Sequence, residues 1–161
     1  MTTLITGGNG FLAIHLKTYM DGDFYGKDIL DVTDANCINN LPNYDILIHT
    51  ATGNRTINDN IPLLLTKAKK IFVFTSKQGT FSNWKQSGSM NLDYGLAKLK
   101  LNFTIYRHNL ENHNAQIFDP GHMETPEQYN NIAKKFSEIY LNWKFEKNMI
   151  YDLSADRYIP Y

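Results

Sequence analysis

Apolar positions along this chain follow two rhythms. Leu4-Ile5-Thr6, Tyr44-Asp45-Ile46-Leu47-Ile48-His49, Ile71-Phe72-Val73-Phe74-Thr75-Ser76 and Ala115-Gln116-Ile117-Phe118 are short, nearly continuous apolar runs, as expected of strands buried on both faces. Between them, apolar residues recur at helical spacing: Phe11, Leu12, Leu16, Tyr19 and Met20; Ile57, Ile61, Leu64, Leu65 and Ala68; Ile132, Phe136, Ile139, Tyr140 and Trp143. Asn60 ahead of Ile61-Pro62 can cap the second helix, with Lys67, Lys69 and Lys70 crowding its last turn, where they complement the helix dipole. Thr125-Pro126-Glu127-Gln128 reads as an N-cap, a proline at the first helical position and a capping-box glutamine. Phe24-Tyr25 ahead of Gly26 is a further strand, and little room remains for a helix before Tyr44, so one layer should be reduced. Met149–Leu153 reads as a last short strand, and Arg157–Tyr161 carries no pattern. Strands alternating with helices predict parallel βαβ units: an α/β, doubly wound, mainly parallel sheet flanked by helices, in a single domain over residues 1–161.

One stretch shows both rhythms. Leu99, Leu101, Phe103 and Ile105 alternate like a strand, while Leu96, Leu99, Phe103, Tyr106 and Leu110 share one helical face. The run is long for a strand, so it predicts a helix apolar on more than one face, buried against the sheet and available to a neighbouring subunit. The loop from Lys77 to Asn91, with Gly79, Phe81, Trp84 and Gly88, has no clean period.

Ligands of parallel sheets lie at the carboxyl ends of the strands, where Gly7, Thr50 and Ser76 fall. Gly7-Gly8-Asn9-Gly10 stands between the first strand and the helix that opens at Phe11. Such a turn can cradle phosphate, because glycines let the backbone come close and a helix start offers free N–H groups. Asp28, some 20 residues on, is placed to accept hydrogen bonds from an adenosine ribose. Its neighbour Lys27 could instead meet a 2′-phosphate, which leaves NAD and NADP both open. Tyr94 and Lys98, four apart on a helix, point the same way. A nearby ammonium favours the phenolate, which makes Tyr94 a candidate general acid/base with Lys98 as its tuner.

Composition narrows the class. A formal net charge of zero over 161 residues argues against a partner that needs a broad basic field, nucleic acid above all. Hydrophobic residues at 42% and charged residues at 20% are those of a soluble globular protein, and no apolar run approaches membrane-spanning length. The lone cysteine, Cys37, cannot form an internal disulfide, so a reducing, cytoplasmic setting is the simpler expectation, and the chain opens without a charged leader. The histidines and Cys37 do not fall in metal-binding pairs, and no metal site is expected.

Thr6-Gly7-Gly8-Asn9-Gly10-Phe11-Leu12, Asp31-Val32-Thr33-Asp34, Thr75-Ser76, Tyr94-Gly95-Leu96-Ala97-Lys98 and Pro120-Gly121 with Thr125 stand in this order along the chain. Together they resemble the short-chain dehydrogenase/reductase family, as a minimal-length member. The resemblance runs from residue 2 to about 153, and the glycine turn and the Tyr94/Lys98 motif are its specific parts. It implies a Rossmann-like fold, an NAD or NADP cofactor, a small-molecule carbonyl or alcohol substrate, and a homodimer or tetramer through the Tyr94 helix and the helix from Pro126. It also implies roles: Tyr94 exchanges a proton with the substrate, Lys98 tunes it and holds the nicotinamide ribose, and Ser76 bonds the substrate oxygen. Gly7, Gly8, Asn9, Gly10, Phe11 and Leu12 form the cofactor turn. Asp31 and Val32 border the adenine, Ala51 lies under the cofactor beside Thr50, and Pro120-Gly121 backs the nicotinamide with Thr125 near its amide.

The chain departs from the family pattern in places. The usual Asn-Asn-Ala-Gly is His49-Thr50-Ala51-Thr52-Gly53 here, and the helper asparagine falls to Asn54 or Asn58. Where sugar-modifying relatives carry the working hydroxyl one position after Ser76, this chain has Lys77, with Thr80 as the fallback. Only His122, Met123 and Glu124 stand between Pro120-Gly121 and the next helix, which leaves the substrate pocket open or completed by a partner chain. His122 is otherwise a solvated turn residue, and Trp84 either floors a pocket or plugs the sheet edge. Two other readings follow: a nucleotide-binding sensor or scaffold without turnover, and a sugar-nucleotide epimerase or reductase, suggested by Gly10-Phe11-Leu12.

Overall fold

The computed structural model describes residues 1–51, 58–80, 92–146 and 148–161. Its strands are β1 (Thr3–Thr6), β2 (Asp23–Tyr25), β3 (Tyr44–His49), β4 (Ala68–Phe74), β5 (Ala115–Asp119), β6 (Met149–Asp152) and β7 (Arg157–Pro160). Among the described residues they make one seven-stranded sheet in the order β2-β1-β3-β4-β5-β6-β7. Every pairing is parallel except the last, where β7 runs antiparallel to β6. The helices are α1 (Phe11–Leu16), α2 (Ala35–Asn39), α3 (Ile61–Leu65), α4 (Leu92–Glu111) and α5 (Pro126–Ile139).

Alternation along the central strands divides the core in two. Leu4, Leu47, Ile71, Val73 and Ile117 face α2, α3 and α4, meeting Ile38, Leu64, Leu101 and Ile105. Ile5, Ile46, Ile48, Phe72, Phe74 and Phe118 face α1 and α5, meeting Leu12, Leu16, Ile132 and Phe136. The second cluster is aromatic: the Phe136 ring stands edge-on to Phe74 at 4.9 Å and to Phe72 at 5.5 Å. Offset and edge-to-face ring pairs add stability beyond the area they bury. The sheet is thus covered on both faces, the doubly wound α/β arrangement that the strand and helix rhythms predict.

Several elements form as the residues dictate. β3 occupies the predicted run, and α5 opens on a full capping box, with the Thr125 hydroxyl accepting from the Gln128 N–H and the Gln128 side chain closing back on the N-cap. The reduced layer is α2, five residues capped by Asp34. Other elements differ from expectation. α3 ends at Leu65, so Ala68, Lys69 and Lys70 belong to β4 and do not complement a helix dipole. Lys69 instead reaches Asp45 on the neighbouring strand at 2.8 Å, and Lys67 donates to the carbonyls of Asn39 and Leu41. The patternless tail is the edge strand β7. The row Leu96, Leu99, Phe103, Tyr106, Leu110 lies on one side of α4 as predicted, but that side faces outward, with Leu96, Phe103 and Leu110 exposed. The buried side carries Ala97, Lys98, Leu101, Asn102, Ile105 and Asn109. Trp84, Asn54 and Ile57 lie outside the described residues.

Candidate functional site

Because the first six strands run parallel, the segments following β1, β2, β3, β4, β5 and β6 collect at one edge of the sheet. Gly7 turns the chain there with φ +73°, and a Cβ on it would stand 2.7 Å from the Thr50 hydroxyl and 2.9 Å from the Ala51 nitrogen. Both the left-handed backbone and the close approach to the end of β3 require glycine. The Gly10 N–H returns to the Gly7 carbonyl at 2.8 Å, and α1 begins at Phe11. The first-turn N–H groups of α1 therefore have no intrahelical acceptor. Thr50 donates to the Thr6 carbonyl at 2.7 Å, which fixes the two strand ends together.

A cavity of about 500 Å³ opens at this edge, within the range of small-molecule sites. Gly10, Phe11, Leu12, Thr50, Ser76, Tyr94, Lys98, Pro120 and Gly121 all line it. Nine residues singled out in the sequence, spread from position 10 to position 121, thus meet in one place. α4 brings Tyr94 and Lys98 to it from the same side, with the Lys98 nitrogen 5.3 Å from the centre of the Tyr94 ring. Ser76 follows β4 and hydrogen-bonds the Tyr94 side chain. Asn102, one turn beyond Lys98, donates to the carbonyls of Ser76 and Gly79, clamping the segment after β4 against α4. The clamp is tight: a Cβ on Gly79 would meet the Lys98 carbonyl carbon at 2.4 Å.

The other predicted residues lie outside that lining. Asn9 donates to Asp28 at 3.2 Å, linking the glycine turn to the end of β2, and Gly26 leaves the space this contact occupies. Lys27 is exposed, 4.0 Å from Asp31. Asp31 accepts from both the N–H and the hydroxyl of Thr33, which lower its pKa. The Val32 carbonyl accepts from Asn58. Gly8 packs on the Phe24–Tyr25 backbone and Ala51 beside Gly7, while the Thr125 hydroxyl is engaged as the α5 cap.

Electrostatics differ from the simple tuning of Tyr94 by Lys98. Burial is the largest influence on Tyr94 and raises its pKa; the hydrogen bond with Ser76 opposes this and the negative charge of Asp119 adds to it. Burial also lowers the Lys98 pKa to about 8. At neutral pH the structure therefore holds a protonated phenol beside a predominantly charged lysine.

Three residues not assigned a role from the sequence, Asp119, Asp152 and His49, belong to this neighbourhood. Asp119, at the end of β5, lines the cavity while almost wholly buried; its carboxylate accepts from the Lys77 N–H at 2.8 Å and the Gly121 N–H at 2.7 Å. Burial raises its pKa. Asp152, its registered neighbour on β6, is fully buried and pairs with the Lys77 ammonium at 3.1 Å. His49 is sealed beneath the site, its Nδ1 bonded to the Thr6 hydroxyl at 2.7 Å, and burial lowers its pKa to about 4. The signals for Asp119 and Asp152 were acidic residues at strand ends, which become informative only once the strands are paired. Among the described residues no group of three His, Cys, Asp or Glu side chains could hold a metal ion.

No family model matches the chain, and no curated protein is similar to it in sequence. Solved structures share its fold. A carbonyl reductase from Pseudomonas aeruginosa PAO1, crystallised with NADP, superposes with a TM-score of 0.70 at 10% identity over 100% of both chains. The oxidoreductase ylbE from Lactococcus lactis gives a TM-score of 0.67 at 15% identity, covering 88% of this chain and 85% of that one. A small-chain dehydrogenase crystallised with NADPH gives 0.62 at 10% identity, covering 88% and 90%. The fold of this chain is the Rossmann-like fold of such dehydrogenases and reductases.

Proposed function

We propose that the protein is a member of the short-chain dehydrogenase/reductase family and an NAD(P)-dependent oxidoreductase that interconverts a carbonyl compound and its alcohol. The observation that carries this reading is the meeting of Ser76, Tyr94 and Lys98 with Gly10, Pro120 and Gly121 around one cavity. The residues fit a nicotinamide dinucleotide: glycines whose added Cβ would collide at the turn, first-turn N–H groups of α1 that have no intrahelical acceptor, and a lysine and phenol at the cavity wall. Gly7 to Leu12 would hold the phosphates, Thr50 and Ala51 the stretch beneath them, and Pro120, Gly121 and Thr125 the nicotinamide end. Asp28, Asp31 and Val32 would face the adenosine, with Lys27 available to a 2′-phosphate. When bound, such a cofactor supplies or accepts the hydride.

The chain's own groups supply the rest. Ser76 holds the carbonyl oxygen by a hydrogen bond, and Tyr94 gives that oxygen its proton as the carbonyl carbon takes the hydride, so the C=O π bond becomes an O–H and a C–H bond. Burial favours the protonated phenol, the form needed for reduction. The Lys98 ammonium stabilises the phenolate left behind and replaces the favourable solvation that burial removes. The exposed Leu96, Phe103 and Leu110 on α4 support a homo-oligomer built on that helix. Among the described residues no helix is long and apolar enough to cross a membrane, in keeping with a cytoplasmic enzyme. Carbonyl-dependent oxidation of NADH or NADPH by wild type and by Tyr94→Phe tests the mechanism; equal turnover by the two would contradict it.

A second reading, a dinucleotide sensor without turnover, draws support from the three residues His122, Met123 and Glu124, which alone separate Gly121 from the Thr125 cap. Tight cofactor binding with no turnover across a broad carbonyl and alcohol panel would favour it.

A further inference from the structure

A second cavity, of about 210 Å³, adjoins the first and is lined by Ser76, Lys77, Tyr94, Asp119, Gly121 and His122. It shares Ser76, Tyr94, Asp119, Gly121 and His122 with the larger one, so it opens directly on the phenol. Its volume corresponds to about seven waters at about 30 Å³ each, room for a molecule of a few carbon atoms. Its wall is slightly more polar than apolar, whereas most small-molecule pockets are predominantly apolar.

The charges in that wall are arranged unevenly. The Lys77 ammonium is drawn to the buried Asp152 at 3.1 Å, and the His122 ring to Glu124 at 2.6 Å. Asp119 is held differently: each carboxylate oxygen accepts one backbone N–H, from Lys77 and from Gly121. A carboxylate offers about four acceptor positions, so both oxygens can still accept from a ligand hydroxyl. Only 4% of Asp119 is exposed, so water screens it weakly. An anionic ligand group would meet this carboxylate at close range. An ammonium would meet Lys77 in the same wall and Lys98 in the adjoining cavity. A neutral hydroxyl meets neither objection and gives Asp119 the hydrogen bond it can take.

Resting on the oxidoreductase reading, we propose that this second cavity is the substrate subsite and that Asp119 is its specificity-determining residue, selecting small, uncharged, hydroxyl-bearing aldehydes and ketones over both anionic and unsubstituted carbonyl compounds. The carbonyl sits against Ser76 and Tyr94, and a hydroxyl on a neighbouring carbon donates to Asp119. A site built to hydrogen-bond a substrate hydroxyl discriminates strongly against the analogue lacking it.

The test compares kcat/KM of the wild-type protein, with whichever reduced cofactor it binds, for glyceraldehyde, propanal and glyoxylate. The expected order is glyceraldehyde first, with propanal and glyoxylate each lower by at least about tenfold. In Asp119→Asn the ratio of glyceraldehyde to glyoxylate falls at least about tenfold, a measure that general damage to the protein does not move. Wild-type turnover of propanal or glyoxylate equal to that of glyceraldehyde overturns the role of Asp119 while leaving the oxidoreductase reading intact. An unchanged ratio in Asp119→Asn does the same. Cofactor binding without turnover of any of the three compounds overturns the subsite proposal, while the broad carbonyl and alcohol panel decides the oxidoreductase reading. The wild-type comparison stands even where the variant does not fold.

Discussion

The two halves of the sheet's carboxyl edge treat their polar side chains in opposite ways. Around β1 and β2, the polar residues are satisfied by the fold itself: Thr50 on the Thr6 carbonyl, Asn9 on Asp28, Asp31 on Thr33. Asp28 and Lys27 are exposed, and the glycines work by what they lack. Around β4, β5 and β6, ionisable groups are buried and shifted: Lys98 down to about 8, Tyr94 and Asp119 up. Buried polar atoms with no hydrogen-bond partner among the described residues collect in this region too, at Thr75, Thr80 and Asn102, with His49 below. Burying an unpartnered polar atom costs about 1–3 kcal/mol, and strongly shifted groups concentrate at functional sites. The first half is therefore a shape that a ligand can lie against, and the second is where protons can move.

That contrast predicts where mutations act. The largest effect belongs to Tyr94→Phe, which removes the proposed proton donor and leaves the ring: kcat should fall by about 10²–10⁴-fold with the melting temperature nearly unchanged. Next comes the pH dependence set by Lys98. Its folded value of about 8 lies below the ordinary 10.5, so the ammonium is present below about pH 8 and lost as pH rises through it. The kcat/KM for cofactor reports groups of the free protein, and for carbonyl reduction it should decline about tenfold per unit above that pH. A profile flat to pH 10 would contradict the lowered value for Lys98. The smallest effect lies in the other half and is one of stability. Gly7→Ala forces a side chain into a left-handed backbone against Thr50 and Ala51, and denaturant unfolding should show a loss of about 1–3 kcal/mol or more. If Gly7→Ala kept full stability, the tight turn would not be the constraint that the geometry describes.

Much of this fold is written in local pattern. Most of β3 and the carboxyl-terminal half of β4 are continuous apolar runs, and α5 carries its start signal in Thr125, Pro126 and Gln128. What pattern could not convey depends on partners far along the chain. Lys69 and Lys70 look like the end of a helix, yet they lie on a strand whose outer end is exposed and where Asp45 receives Lys69. β7 is an edge strand, mostly exposed, and so lacks an apolar alternation. On α4 the outward side is the more apolar one, because the inward side carries Lys98 to the site and buries two amides that bond the backbone: Asn102 on Ser76 and Gly79, near the site, and Asn109 on Ala115, at the far end of β5. A helix that buries amides and a lysine gives a misleading hydrophobic face. The glycine turn and the Tyr94/Lys98 pair were legible because short spacing defines them. Asp119 and Asp152 were not, since their contacts with Lys77 span 42 and 75 residues and exist only once β4, β5 and β6 are side by side.

The central claim is that this edge binds a nicotinamide dinucleotide against Lys98 and Tyr94. A fluorescence titration of the purified protein with NADH and, separately, NADPH tests it most directly. Saturable binding of at least one is the predicted result, with the preferred form deciding between Asp28 and Lys27 as the residue that meets the adenosine ribose. Failure to bind either would contradict the account and remove the basis for a proton-transfer role of Tyr94 and Lys98.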